Sequence, residues 1–207
     1  MKKSFLLLFL LFFLPLSVSV EAAARRAIEQ LQVDVDQIVE ILNDEALDRR
    51  IRDEKIIALV KGRFDFPTMS QWILGINWRR ASEAERQRFI DLFTGLLENT
   101  YAGRIESYTG DYGKENVRYV QEQVEGDRSL VNTLIVTKSA EIPVDYKMIR
   151  KDGEWRVYDV VIEGVSLVRN YRTTYGEIVS KEGFPGLFAR MEEKIKELKK
   201  APPEAGK

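Results

Sequence analysis

The spacing of apolar residues changes near Gly113, and that change most limits the folds open to this chain. Before Gly113, apolar side chains recur every three or four residues, which is the period of an amphipathic helix. After it they alternate with polar ones, as in a β-strand, until a helical period returns near Leu167. Because the strands follow one another without intervening helices, this order predicts an α+β fold with an antiparallel sheet.

Helices are predicted over residues 25–43, 48–61, 82–108, 167–181 and 187–198, with a short one beginning at Pro67. The apolar stripe of the first helix contains Leu31, Val35 and Ile38, and that of the second contains Ile56, Leu59 and Val60. The third helix begins with Ser82 and Glu85, which have the spacing of a capping box.

Four strands are predicted over residues 117–124, 130–137, 142–149 and 155–162. Asp152-Gly153 between the last two is typical of a tight hairpin turn. Strict alternation in the fourth strand places Val157, Asp159 and Val161 on one face. The helices are expected to pack on one face of this curved sheet, as a single domain over residues 25–200, followed by a disordered tail at 201–207.

The N-terminus has the order of a secretory signal peptide. Lys2 and Lys3 precede a Leu/Phe-rich stretch over residues 5–20, and Ala22-Ala23-Ala24 supplies small residues for cleavage. The apolar stretch is shorter than the roughly 20 residues of a membrane-spanning helix and contains Pro15. We therefore expect cleavage after Ala24 and export, most simply to a bacterial periplasm.

Two absences exclude whole classes of chemistry. The 207 residues include no His and no Cys, so a Ser-His-Asp triad, a Cys nucleophile and nearly every structural zinc site are impossible. The 32 basic and 33 acidic residues balance, whereas a nucleic-acid-binding protein would show a strong basic excess. Composition therefore favours a binding or carrier protein.

Several short segments in both halves of the chain together form a recognisable set. They are Phe-Asp-Phe at 64–66, Met-Ser at 69–70, Leu-Gly at 74–75, Trp-Arg at 78–79, Thr-Tyr-Ala at 100–102, Trp-Arg-Val-Tyr-Asp-Val at 155–160, Ile-Glu-Gly-Val-Ser-Leu-Val at 162–168 and Asn-Tyr-Arg at 170–172. With these segments the chain resembles the MlaC family, also called toluene-tolerance auxiliary proteins. The resemblance spans residues 27–193. The family usually continues with a Ser-Gln-Phe-like sequence after that Arg, whereas this chain has Thr173-Thr174-Tyr175.

The resemblance implies a periplasmic phospholipid shuttle of Gram-negative bacteria. It implies a nuclear-transport-factor-like cone with an apolar pocket between sheet and helices, and bound phospholipid as cargo without a cofactor. It also implies two partners, an outer-membrane lipoprotein–porin complex and an inner-membrane ABC transporter with its periplasmic ring. Such a carrier would move lipid between the two membranes and maintain the lipid asymmetry of the outer membrane.

Apolar residues that face inward are the candidates for contact with the acyl chains. They are Met69, Ile73 and Trp78; Phe89, Phe93, Leu97 and Tyr101; Tyr146, Met148, Val157 and Val161; and Leu167 and Val168. Large apolar residues at helical spacing are also what an ordinary core contains.

Two arginines in the family segments are candidates for the lipid headgroup. Arg79 and Arg172 are suited to a phosphate through charge-assisted hydrogen bonds. The alternative is a structural ion pair with Asp65, Asp159 or Glu163, because a buried charge normally needs a partner.

Two other functions are open to a cone of this kind. An isomerase or hydratase would use a carboxylate base with a tyrosine donor, and Asp159 with Tyr158, Tyr101 or Tyr146 is the constellation available. A chaperone-like carrier of lipidated proteins would need the same pocket with a wider mouth.

Overall fold

The computed structural model describes residues 25–102, 116–138 and 140–200. The predicted signal peptide, the predicted tail and the end of the predicted helix at 82–108 lie outside the described residues. The division of the chain into a leader, one domain and a tail therefore stays a prediction.

Helices precede and follow a block of strands, which confirms the predicted α+β fold. The helices are α1 (Ala27–Leu42), α2 (Arg49–Arg63), α3 (Phe66–Leu74), α4 (Ile76–Arg80), α5 (Glu83–Ala102) and α6 (Leu167–Lys200). The strands are β1 (Val117–Glu125), β2 (Arg128–Val136), β3 (Glu141–Lys151), β4 (Glu154–Ile162) and β5 (Val165–Ser166). The two predicted C-terminal helices form α6, which is interrupted by a kink at Gly183.

The strands pair in chain order, β1-β2-β3-β4-β5, and each described pair is antiparallel. The four predicted strands are present, and β5 is an additional strand that the sequence analysis did not predict. It contains only Val165 and Ser166, which is too short to show an alternating pattern. A tight turn through Glu163 and Gly164, both at positive φ, joins it to β4.

Strand β4 contains a bulge at Tyr158. Lys147 pairs with Asp159, whereas the next residue of β3, Met148, pairs with Val157. Tyr158 is therefore an extra residue in β4, and an extra residue in one strand reverses the faces of every side chain beyond it.

The bulge overturns the strict alternation predicted for this strand. Beyond it, Val160 and Ile162 share a face with Val157 because they pair with residues that lie on one side of β3. Asp159 and Val161 lie on the opposite face. Both faces of the strand are rich in apolar residues, so composition alone did not reveal the change.

Asp159, on the opposite face of β4, holds the start of α6 through hydrogen bonds. Its carboxylate accepts hydrogen bonds from the Ser166 hydroxyl at 2.7 Å and the Val168 backbone N–H at 3.0 Å. Lys147 contributes an ion pair at 2.9 Å. Ser166 in turn accepts from the Arg169 N–H at 3.0 Å, as an N-cap residue does. These bonds join the end of the sheet to the start of α6.

Caps also fix the starts of α3 and α5. The buried Asp65 carboxylate accepts from the Thr68 N–H at 3.0 Å and forms an ion pair with Lys151. Burial acts to raise the pKa of Asp65, but the bonds from Lys151 and Thr68 outweigh it and hold the pKa below the usual 3.8. The predicted capping box is present, since the Ser82 N–H donates to Glu85 at 2.8 Å and the Glu85 N–H donates to Ser82 at 3.3 Å.

The buried apolar residues form two cores. One lies between α3, α5 and α6 and consists of Phe66, Met69, Ile73, Leu74, Phe89, Phe93, Leu96, Leu97, Val168, Tyr175, Leu187, Phe188 and Met191. We call it the helical core. The other joins α1 to the sheet and consists of Ala27, Leu31, Val131, Met148, Trp155 and Val157. We call it the sheet core.

We predict that Asp159→Ala lowers the free energy of unfolding by about 3 kcal/mol, because it leaves Lys147 and the start of α6 without their shared partner. Urea unfolding followed by circular dichroism measures the change. Asp127→Ala is the control: this exposed carboxylate pairs with Arg150 at 2.9 Å, and its loss should cost less than about 0.5 kcal/mol. Equal losses would contradict the anchoring role.

Candidate functional site

An apolar cavity of about 380 Å³ lies between the first two helices and the sheet. Its volume is within the range of about 300–1,000 Å³ that is typical of ligand sites. Its apolar wall consists of Leu31, Val35 and Ile38 from α1; Ile56, Ile57, Leu59 and Val60 from α2; Phe64, Phe66, Leu97 and Leu167; and Ile135, Val144, Tyr146, Val157, Val160 and Ile162 from the sheet.

Helix α2 forms one wall of the cavity. It begins at Asp48, whose side chain accepts a hydrogen bond from the Ile51 N–H at 3.0 Å. Ile56 is buried, whereas Ile57, Leu59 and Val60 remain partly exposed although they line the cavity. The apolar stripe of this helix therefore covers a hollow rather than a close-packed core.

Four charged residues also line the cavity, and they form two ion pairs. Arg63 at the end of α2 contacts Asp34 of α1, with Nε 2.7 Å from Oδ1. Lys61 contacts Glu98 of α5 at 2.6 Å. Each carboxylate is thus neutralised by a cation on α2, and the wall as a whole carries no net charge.

Burial raises the pKa of Asp34 above its usual value, against the opposing effect of the Arg63 charge and of hydrogen bonds from Gln30 and Arg63. The carboxylate is therefore poorly solvated, and the adjacent Arg63 charge favours its ionised form. The arrangement stabilises contact between α1 and α2 on one side of the cavity.

The structure brings four of the predicted acyl-chain contacts into the cavity wall. They are Leu97, Tyr146, Val157 and Leu167. Burial raises the pKa of Tyr146 to about 12, so its hydroxyl stays protonated near neutral pH.

The other described candidates lie outside the wall. Met69, Ile73, Phe89, Phe93 and Val168 are buried in the helical core, and Trp78 packs against it. Met148 belongs to the sheet core, and Val161 lies on the opposite face of β4 because of the bulge. The side chain of Tyr101 lies outside the described residues. The inward face of α5 mostly packs against α3 and α6, which is why its large residues do not reach the cavity.

The two candidate arginines also lie outside the cavity wall. Arg79 is exposed on α4, and the guanidinium of the exposed Arg172 lies against Gly75, where a Cβ would approach its Nη2 to 3.0 Å. Two of the acidic partners considered for them, Asp65 and Asp159, pair with lysines instead. The charged groups at the cavity are on α1, α2 and α5.

The contribution of α1 and α2 to the cavity was not predicted from the sequence. The apolar stripes through Ile38 and Val60 were identified, but their residues were not among the predicted acyl-chain contacts. Apolar spacing shows which face of a helix turns inward, yet it does not show whether that face meets a filled or a hollow interior.

The constellation considered for an isomerase or hydratase is not assembled at this cavity. Asp159 and Tyr146 lie on opposite faces of the sheet, and the Asp159 carboxylate already accepts the bonds that anchor α6. The ring of Tyr158 stacks on Trp72, with the two centroids 6.1 Å apart.

Within residues 25–102, 116–138 and 140–200, no helix is long and apolar enough to cross a membrane. The same residues contain no cluster of acidic side chains suited to a metal ion.

Three comparisons with known proteins agree with one another. The family model described as "MlaC protein" matches residues 32–193. A protein from Haemophilus influenzae, the "Intermembrane phospholipid transport system binding protein MlaC", is 26% identical over 127 residues, which is 58% of each chain. The solved structure of a phospholipid-binding protein from Ralstonia solanacearum, in complex with a phospholipid, matches with a TM-score of 0.71 and 26% identity. It covers 83% of this chain and 98% of that one.

The contrast between hollow and filled interior predicts different costs for two isoleucines in helices. Ile73→Ala, in the helical core, should lower the free energy of unfolding of delipidated protein by about 4 kcal/mol, because it leaves a new void among packed side chains. Ile56→Ala should cost about 2 kcal/mol, because its side chain borders the cavity and the loss is then mostly the transfer free energy of the deleted groups. Denaturant unfolding of both variants measures this, and equal losses would mean that the space beneath α2 is filled.

Proposed function

Since this chain belongs to the MlaC family, we propose that it is a periplasmic phospholipid carrier, which moves lipid between the outer and inner membranes and so maintains the lipid asymmetry of the outer membrane. Binding is non-covalent, with the acyl chains held in the cavity between α1, α2 and the sheet. The observation that carries the proposal is the cavity itself, whose wall is apolar apart from two internally neutralised ion pairs.

The energetics of an acyl chain in water explain why a carrier needs such a cavity. A diacyl lipid has on the order of 30 methylenes, each worth about 0.8 kcal/mol on burial, so full exposure costs on the order of 20 kcal/mol. Free diffusion through an aqueous compartment is correspondingly slow. Release into water would be slow for the same reason, so transfer requires a surface or a partner that receives the chains directly.

The two ion pairs in the cavity wall also affect which acyl chains the cavity can accept. An unpaired charge in the wall would have to be desolvated when an acyl chain entered, which is costly. Pairing Lys61 with Glu98 and Arg63 with Asp34 avoids that cost. Affinity then depends on the apolar area buried rather than on a charge in the wall, which suits a carrier that accepts chains of varied structure.

The family and the predicted signal peptide support our proposals for location and partners. The relative from Haemophilus influenzae is named as the binding protein of an intermembrane phospholipid transport system. We assign this chain to the periplasm on that basis. Its expected partners are an outer-membrane lipoprotein–porin complex and an inner-membrane ABC transporter with its periplasmic ring.

Two neighbouring valines test the cavity assignment. Val160→Lys should reduce co-purifying phospholipid to less than about a tenth of the wild-type amount, because an unpaired charge in an apolar cavity disfavours acyl chains strongly. Val161→Lys is the matched control: the bulge turns this residue to the opposite face, so its lipid content should match the wild type. Organic extraction with mass spectrometry measures lipid content, and circular dichroism confirms folding.

Three results would count against this assignment. Wild-type protein purified without phospholipid would contradict a carrier function. Retention of lipid by folded Val160→Lys protein would place the acyl chains elsewhere, and turnover of a small carbonyl compound by lipid-free protein would favour an enzyme.

A further inference from the structure

The end of β4 belongs both to the cavity wall and to the exposed surface of the protein. Ile162 lines the cavity and yet is 44% exposed, whereas the other apolar residues of the wall are buried or partly buried. Lys61 of the wall is exposed as well, but its side chain is charged and pairs with Glu98. Ile162, the last residue before the β4–β5 turn, is therefore the place where an apolar surface leads from the cavity wall to solvent.

The neighbour of Ile162 across this turn is apolar as well. Val165, the first residue of β5, pairs directly with Ile162 and is 63% exposed. Directly opposed residues in an antiparallel pair project from the same face and contact each other. Together Ile162 and Val165 form a short apolar surface that continues the cavity wall outward, and we call it the hairpin tip.

We propose that acyl chains enter and leave the cavity across the hairpin tip, and that the tip contacts the phospholipid surface from which a chain is taken. This inference rests on the proposed function and adds the route of the cargo. A chain that slides over Ile162 and Val165 stays in contact with apolar groups, so it never exposes its full length to water.

The chemistry of the tip favours a lipid surface over a protein partner. Stable protein interfaces usually bury at least about 1,200 Å² and centre on aromatic or arginine anchors. The tip offers only two aliphatic side chains, on a turn formed by Glu163 and Gly164. Two such side chains suit brief contact with the acyl boundary of a bilayer, from which the protein must then dissociate.

The chain offers a matched control for this surface at the other edge of the sheet. Val124 of β1 is 57% exposed, close to the 63% of Val165, and it also belongs to an edge strand. It does not line the cavity. Val165→Glu and Val124→Glu therefore introduce the same charge at similar exposure in the same sheet, and only the first alters the proposed route.

The experiment measures uptake of a fluorescent phospholipid from phosphatidylcholine vesicles, which carry no net charge to repel the new carboxylate. We expect Val165→Glu to slow the initial rate of uptake about tenfold, with the amount bound at equilibrium unchanged. Val124→Glu should remain within about twofold of the wild type. Because both valines are largely exposed, circular dichroism should show both variants folded.

The outcomes separate the route from the carrier function. A wild-type rate in Val165→Glu, or equal slowing by Val124→Glu, would overturn the route while leaving the cavity assignment intact. Wild-type protein that co-purifies with phospholipid but takes none from vesicles would also overturn it, because contact with a lipid surface would not suffice. Protein that holds no phospholipid in any assay would contradict the proposed function itself.

Discussion

The bulge at Tyr158 in β4 determines which side chains of this strand line the cavity and which one binds the start of α6. Val157 precedes the bulge and Val160 follows it, and both line the cavity. Asp159 lies between them on the opposite face and anchors α6. A regular strand would put the Asp159 carboxylate on the same face as Val157. One extra residue thus lets a single strand provide an apolar wall on one face and a buried polar anchor on the other.

The helical core and the cavity have different roles. The helical core is close-packed, with Phe89 and Phe93 fully buried, and it supplies stability that a chain without disulfide bonds needs from packing. The cavity is left unfilled, although unfilled apolar volume costs on the order of 20 cal/mol per Å³. Separating the filled core from the hollow lets the protein tolerate that cost, and an acyl chain in the cavity would recover part of it.

Much of the fold could be predicted from sequence because it is encoded locally. The capping box at Ser82 and the hairpin turn at Asp152-Gly153 are short-range features, and the structure contains both. The cavity wall was harder to predict, because it depends on how distant elements meet. Phe93 was selected because it faces inward, although an inward position does not distinguish a core residue from a ligand contact. Val161 was assigned to the wrong face of β4, because the sequence of a strand that is apolar on both faces does not reveal a bulge.

A crystal structure of the protein as purified from cells would show whether the cavity holds an acyl chain. We expect continuous, tube-shaped electron density for an acyl chain between α2 and the sheet, in contact with Ile56 and Val160 and reaching the surface beside Ile162. A cavity closed by repacked side chains in lipid-containing protein, with the lipid bound at another surface, would contradict it.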